Sequence, residues 1–405
     1  MNIGTLNNVE THGKTVLVRV DFNSPIDPST NTILDDKRFR EHIPTIKSLE
    51  DSKVILIAHQ SRPGKKDFTT LKAHADHLEK LLGTPVTYVN DIFGYHAKKT
   101  IRNSNNGDII LLENLRFNAE ENMIMSPDTA ANTHFVRNLS SMADIFVNDA
   151  FGTAHRSQPS IVGLPIAMKS VAGLLMEKEI KNLSKIFTSA PKPVTFVLGG
   201  TKVDDSISVA SHVLENGIAD NIVVIGIVAN VFYLAKNIKI GLPSINLISK
   251  LGYDPEIQKA NNILEKYGDK IILPEYVAVD QNNSRCEYNI SEVPSDCPIL
   301  DIGSKSINVI SPILQNSGTV VFNGPAGMFE KRDFATGTYE LLQAASKSKF
   351  SICGGGHTAS VIECLGIESE YTHISTGGGA CIEYLTGQKL PAINALERSW
   401  VRYWQ

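Results

Sequence analysis

Short apolar runs alternate with longer segments of helical period along the whole chain. In the first half the runs fall at residues 16–22, 54–58, 86–89, 109–112 and 145–147; in the second they fall at 194–198, 222–227, 271–273, 320–322, 350–353 and 372–375. Most are rich in Val and Ile and apolar on both faces, the pattern of parallel strands covered by helices on each side. Between them, segments such as 71–82 set Leu71, Ala75, Leu78 and Leu82 at helical spacing. Strand–helix alternation in both halves predicts an α/β fold with two open sheets. Residues 172–187 read as one helix, stopped by Pro191 and Pro193 ahead of the strand at Val194. That helix is either a hinge element between two sheets or a crossover within one larger domain. In the tail, Trp400 and Trp404 are four apart and share one face if the tail is helical.

A chain of 405 residues exceeds one ordinary core and predicts two domains. Its net charge of −4 gives no global basic field, which argues against nucleic acid as a partner and requires any anion site to be local. Five cysteines (Cys286, Cys297, Cys353, Cys364, Cys381) show no Cys-x-x-Cys pair and no metal-ligand spacing, so they read as reduced thiols of a cytoplasmic protein. The first ten residues lack the basic-then-apolar pattern of a signal peptide. The most apolar stretch, 222–235, is too short to span a membrane and is interrupted by Asn230; it predicts a buried strand leading into a helix.

Candidate chemistry divides between the halves. Arg38, Arg62, Arg116 and Arg156 each stand beside a turn or the end of an apolar run, with His59 and His155 nearby. Asp21 and Asn23 follow the first run, where they either bind substrate or cap a turn. The carboxyl ends of strands are where open α/β sheets place a ligand crevice. A guanidinium fork suits phosphate because it donates two parallel hydrogen bonds. In the second half, Gly199-Gly200-Thr201-Lys202, Asn323-Gly324-Pro325-Ala326-Gly327, Gly354-Gly355-Gly356-His357 and Ser375-Thr376-Gly377-Gly378-Gly379 each follow an apolar run. Glycines there let backbone N–H groups approach a phosphate, and a following helix favours its charge. The Walker A spacing is absent, and no Gly-x-Gly-x-x-Gly with a later acidic residue points to a dehydrogenase. Two anionic partners, one on guanidinium groups and one on backbone N–H groups, are what a kinase of a phosphorylated acceptor requires.

Taken together these segments resemble the phosphoglycerate kinase family. The likeness rests on Arg19-Val20-Asp21-Phe22-Asn23, Arg38 with Pro44-Thr45-Ile46, His59 with Arg62-Pro63, and Glu113-Asn114-Leu115-Arg116-Phe117. It continues through 147–156, Gly199-Gly200-Thr201-Lys202-Val203, 321–330 and 375–380. The resemblance implies two Rossmann-like lobes joined by a hinge helix. Residues 1–171 with 390–405 would form the acceptor domain, 172–190 the connecting helix, and 191–389 the nucleotide domain. It implies reversible phosphoryl transfer between 1,3-bisphosphoglycerate with ADP and 3-phosphoglycerate with ATP, assisted by Mg2+, in a monomer or homodimer. It places 3-phosphoglycerate at Asp21, Asn23, Arg38, His59, Arg62, Arg116 and Arg156. It places the nucleotide at Gly200, Asn323, Pro325, Glu330, Gly355, Gly356, His357 and Thr358, with Glu330 at the ribose.

Two positions depart from the common pattern of that family: Ser206 stands where a second lysine is usual, and His357 where a metal-associated aspartate is usual. Both look like its archaeal branch. They leave the metal ligand unassigned, with Asp205 a candidate from its closeness to Lys202. The carboxylate that accepts the phosphoryl group is already ionised near neutral pH, so no general base is required. Arg38 and Lys202 are the expected catalytic pair, acting on the charge of the transferring group. A catalytically silent nucleotide and sugar-phosphate sensor is the competing reading.

Overall fold

The apolar runs become parallel strands because both of their faces are covered. A computed structural model describes residues 3–404 and divides the chain into two compact units, Met1–Lys181 with Lys389–Gln405, and Asn182–Gln388.

In the first unit, β1 (Thr15–Arg19), β2 (Lys53–Ile57), β3 (Val86–Val89), β4 (Ile109–Leu112), β5 (Ile145–Asn148) and β6 (Ser170–Ala172) form one parallel sheet in the order β3-β4-β2-β1-β5-β6. Alternate residues of β1 point to opposite faces. Val16 and Val18 pack with Phe39 and Ile46 of α1 (Lys37–Lys47) and Ala75 and Leu78 of α2 (Lys72–Leu82). Leu17 packs on the other face with Ile55, Ile57 and Phe135. Each fully buried aliphatic or aromatic side chain here contributes roughly 1.5–3 kcal/mol.

The short edge strand β6 is not evident in the hydrophobic pattern. It delays the next helix: Ala172 pairs with Asn148, so the helix expected from residue 172 instead begins at Leu174 and runs to Thr188 as α3. The division between the two units falls inside this helix, between Lys181 and Asn182.

In the second unit, β7 (Val194–Leu198), β8 (Asn221–Val224), β9 (Ile271–Ile272), β13 (Thr319–Asn323), β14 (Phe350–Gly354) and β15 (His373–Ile374) form a second parallel sheet, ordered β9-β8-β7-β13-β14-β15. The helix α4 (Val203–Glu215) follows β7, and α5 (Gly226–Ala235) follows β8. The apolar run at 222–227 is divided because Gly226 takes φ +59°, a left-handed conformation that opens α5. Between β9 and β13 lies an antiparallel sheet of β10 (Tyr276–Gln281), β11 (Ser284–Asn289) and β12 (Ile299–Ile302), ordered β11-β10-β12. Helices α6 (Gly356–Leu365) and α7 (Gly379–Leu385) follow β14 and β15.

The tail forms α8 (Pro391–Trp404) and belongs to the first unit, where it packs on β6 and the short helix Leu164–Ala167. The Trp400 and Trp404 rings stack with centroids 5.3 Å apart, and the Lys169 ammonium lies 3.8 Å above Trp404. Among the described residues no helix is long and apolar enough to cross a membrane.

Candidate active site

Each sheet has a point at which strand order reverses, between β1 and β5 in the first unit and between β7 and β13 in the second. Loops diverge there and leave a crevice at the strands' carboxyl ends. The candidate residues of each half follow those strands.

In the first unit Asp21 and Asn23 follow β1, His59 and Arg62 follow β2, Arg116 follows β4 and Arg156 follows β5. Arg38 comes from the first turn of α1 and pairs with the Asp21 carboxylate. The Asn23 side chain accepts the Ser61 N–H at 2.7 Å, and Arg116 donates to the Ser61 carbonyl, so Ser61 joins three of the loops. Its φ of +56° is what turns Arg62 outward, where it stands exposed. Burial alone would raise the Asp21 pKa, but the charge of Arg38, with Arg19 behind it, outweighs it and holds the carboxyl well below its usual range. Burial, followed by the charges of Arg156 and Arg19, pushes Arg116 down to about 10. Cations are thus crowded here beyond what the nearby carboxylates balance.

Beneath them is a group to which no role is assigned from sequence. Arg19 ends β1 and is fully buried; its Nε donates to Ser160 Oγ at 3.1 Å, and Ser160 Oγ donates to Glu121 at 2.5 Å. Burial raises the Glu121 pKa against the pull of Arg19. The available signal was a charged residue closing a run that is otherwise apolar on both faces. His59 is buried too, and burial, then Arg19, holds its imidazole well below the ordinary value, so it is neutral.

In the second unit the four glycine segments follow β7, β13, β14 and β15, which are neighbours in the sheet. Their backbone donors are not equivalent. Gly199 N–H donates to the Asn323 carbonyl at 2.8 Å and Gly200 N–H to the Pro325 carbonyl at 2.9 Å. These glycines therefore serve the close approach of two loops: a Cβ on Gly324 would lie 2.2 Å from the Gly199 carbonyl oxygen. Their own N–H groups are thus engaged within the fold, and what the missing side chains leave is room for a ligand to come close to this backbone. The donors suited to an anion are the first-turn N–H groups of α6, at Gly356, His357 and Thr358, which have no carbonyl of their own helix to reach. Asn323 Oδ1 fits beside Gly355 because neither Gly354 nor Gly355 carries a side chain.

A cavity of about 210 Å³ adjoins these loops. Gly200, Pro325, Glu330 and His357 line it together with Asn230, Leu300, Asp301 and Met328. Glu330 and His357 are exposed at its rim, and the His357 ring lies 5.8 Å from that of Phe329. Asn230 and Asp301 are buried in its wall and escape sequence reasoning, since a single Asn or Asp within an apolar run carries no spacing signal. Lys202 precedes α4 and is exposed. Ser206 is fully buried on that helix and offers no charge to a ligand.

Among the described residues no three His, Cys, Asp or Glu side chains form a metal cage. Mg2+ is commonly held by one or two carboxylates plus substrate phosphates, so a cage is not required. Asp205, in the first turn of α4, fits that part: burial and then the neighbouring Asp204 raise its pKa, against Lys202. A divalent cation would relieve this excess of negative charge.

The sequence model of the phosphoglycerate kinase family matches residues 6–388. A phosphoglycerate kinase of Methanocorpusculum labreanum is 68% identical over 403 residues, spanning 100% of both chains. Phosphoglycerate kinase 2 of Methanosarcina acetivorans is 49% identical, with 99% of this chain and 97% of that one covered. Among solved structures, phosphoglycerate kinase from Pyrococcus horikoshii OT3 superposes with a TM-score of 0.93 at 39% identity, covering 99% of this chain and 100% of that one.

Proposed function

Because the chain belongs to the phosphoglycerate kinase family, we propose that the arginine-rich crevice of its first unit holds the acceptor and the glycine-lined cavity of its second holds the nucleotide. The enzyme is a phosphotransferase with a carboxyl group as acceptor. Asp21, Asn23, Arg38, His59, Arg62, Arg116 and Arg156 bind 3-phosphoglycerate or 1,3-bisphosphoglycerate. Gly200, Asn323, Pro325, Glu330 and the segment from Gly355 through Gly356 and His357 to Thr358 bind ATP or ADP. The observation that supports this division most directly is the gathering of Arg19, Arg116 and Arg156, whose mutual repulsion adds to burial in lowering Arg116 to about 10. An anion bound among Arg19, Arg116 and Arg156 would relieve it.

In the ATP-consuming direction a carboxylate oxygen of 3-phosphoglycerate attacks the γ-phosphorus, and the bond to the bridging oxygen of ADP breaks. The nucleophile is ionised already, so no side chain must remove a proton. Charge is the obstacle, and positioned cations are the remedy. Arg38, freed from Asp21 by the arriving substrate, and Lys202, ahead of α4, neutralise the transferring group. His59 presents a neutral N–H donor rather than an acid. Mg2+ carried on the nucleotide phosphates would be held by Asp205 and would neutralise phosphate oxygens.

The test is ADP formation from ATP and 3-phosphoglycerate with magnesium, the product being consumed in a coupled dehydrogenase step. Turnover that requires all three components is expected. Binding of both ligands without turnover would favour a silent sensor instead.

A further inference from the structure

One stripe of α1 faces both the acceptor site and the start of α3. Arg38, His42 and Thr45 fall at i, i+4 and i+7 and so share that stripe. Arg38 pairs with the Asp21 carboxylate. One turn on, His42 Nε2 accepts the backbone N–H of Asp21 at 2.9 Å. With Nε2 an acceptor, the hydrogen sits on Nδ1, which donates to Asp149 Oδ2 at 2.7 Å. The other oxygen, Asp149 Oδ1, accepts the N–H of Leu175 at 2.9 Å and of Met176 at 3.4 Å. Thr45 Oγ1 accepts the N–H of Leu174 at 3.0 Å. These three are first-turn donors of α3, which no carbonyl of their own helix can reach. Their partners all come from the stripe on α1, directly or through the pair His42–Asp149.

The arrangement is dry and tight. His42, Thr45 and Asp149 are buried, so water does not compete for their bonds. A side chain at residue 173 would strike Asp149 Oδ1 at 2.2 Å, and one at residue 152 would strike Asp21 Oδ2 at 2.4 Å; both positions are glycine.

We propose that His42 and Asp149 are positioning residues that couple occupancy of the acceptor site to the first turn of α3. This rests on the reading of Asp21 and Arg38 as acceptor contacts. An anion that recruits Arg38 withdraws the guanidinium from Asp21. The Asp21 backbone, held by His42, then shifts its pull on the imidazole, and Asp149 transmits the change to the donors at Leu175 and Met176. No proton leaves the pair: His42 keeps its Nδ1 hydrogen and Asp149 remains the acceptor. The helix that receives the change is the one within which the first unit ends.

Hydrogen exchange of the full chain, read by mass spectrometry with and without saturating 3-phosphoglycerate, tests this. In the unsubstituted enzyme the ligand is expected to slow exchange at residues 174–177 by about fivefold or more. Asp149→Asn keeps an oxygen for the α3 donors but turns an N–H donor toward His42. In that variant 3-phosphoglycerate should bind within about threefold of its usual Kd, the ligand effect at 174–177 should vanish, and kcat should fall while KM for 3-phosphoglycerate holds. His42→Gln, which retains a donor and an acceptor, should keep part of the ligand effect, whereas His42→Leu should abolish it. Binding that depends on Arg38 but leaves exchange at 174–177 unchanged would overturn the coupling alone. So would a full ligand effect in Asp149→Asn and His42→Leu. Binding indifferent to Arg38→Ala would overturn the acceptor-site reading and the coupling with it.

Discussion

Arg19 holds His59 by its Nδ1, 3.0 Å from a guanidinium nitrogen. A guanidinium has donors only, so Nδ1 must accept and the hydrogen must sit on Nε2. That Nε2 is buried with no partner among the described residues. A buried donor left unpaired costs roughly 1–3 kcal/mol, which an incoming substrate oxygen would recover. Nitrogen-15 spectra of His59 should therefore show the neutral Nε2–H tautomer from pH 8 down to about 5.5, with its proton shifted by 3-phosphoglycerate. Arg19→Met should release the tautomer and raise KM for 3-phosphoglycerate by about tenfold. A protonated imidazole at pH 6 would contradict the assignment.

Stability should fall as the medium is acidified below neutrality, and two histidines give the sign. His59 is held well below 6.5, and burial followed by the charge of His77 pushes His74 down to about 3. The unfolded chain takes up protons near 6.5 that the native state refuses, so stability is present in full above that value. It is lost as pH drops toward the folded values. Between pH 6.5 and 5.5 the pair should cost about 2 kcal/mol, read as a lower urea midpoint. Buried Glu121, whose pKa is raised, acts in the opposite sense only closer to its own range. A flat midpoint across this window would mean that both imidazoles charge within the fold.

Arg38→Ala and Lys202→Ala should each lower kcat more than they raise KM, since both cations act on charge that is greatest in the transition state. About 100-fold in kcat per residue is the expected scale, by analogy with other preorganised charge stabilisers. Steady-state kinetics in both substrates decides this, and a pure KM effect in both variants would remove them from that role. Asp205→Ala should raise the magnesium concentration needed for half-maximal rate; an unchanged requirement would take Asp205 out of the metal site.

Arg285 braces the wall of the cavity proposed for the nucleotide. It donates to Asp301 at 2.9 Å, to the Ile302 carbonyl at 2.9 Å and to the Asp333 carbonyl at 2.8 Å, while Gly337 N–H also reaches Asp301. Burial raises the Asp301 pKa, opposed by Gly337 N–H and Arg285. Arg285→Met leaves a buried carboxylate without its cation and should destabilise by about 3 kcal/mol. It should also raise KM for ATP by about tenfold with KM for 3-phosphoglycerate unchanged. Equal effects on both substrates would show that the brace serves the fold at large.

The parallel strands are legible in this sequence because both faces of each are buried, which forces continuous Val and Ile rather than alternation. Elements on a boundary are less so. Ser170–Ala172 is too short to carry a period, and the Tyr276–Asn289 hairpin announces itself only through Asn282-Asn283, whose positive φ values of 53° and 60° make its turn. At the site, arginines at strand ends are readable because their chemistry is local. Arg19, His42, Asp149 and Asp301 are not, because their partners lie far away in sequence: His42 and Asp149 are 107 residues apart. For Gly199 and Gly200 the glycine signal has a cause that spacing does not reveal, the close approach of the loop at Gly324 and Pro325.

The helix Pro391–Trp404 belongs to a unit whose main part, Met1–Lys181, is translated more than two hundred positions earlier. On the ribosome the second unit therefore has its entire sequence available while the first still lacks the helix that covers Val171 and Gly4 with Trp400. Domains are ordinarily completed in the order they emerge. Here the order is inverted: the unit begun first is the one that must wait for the last helix.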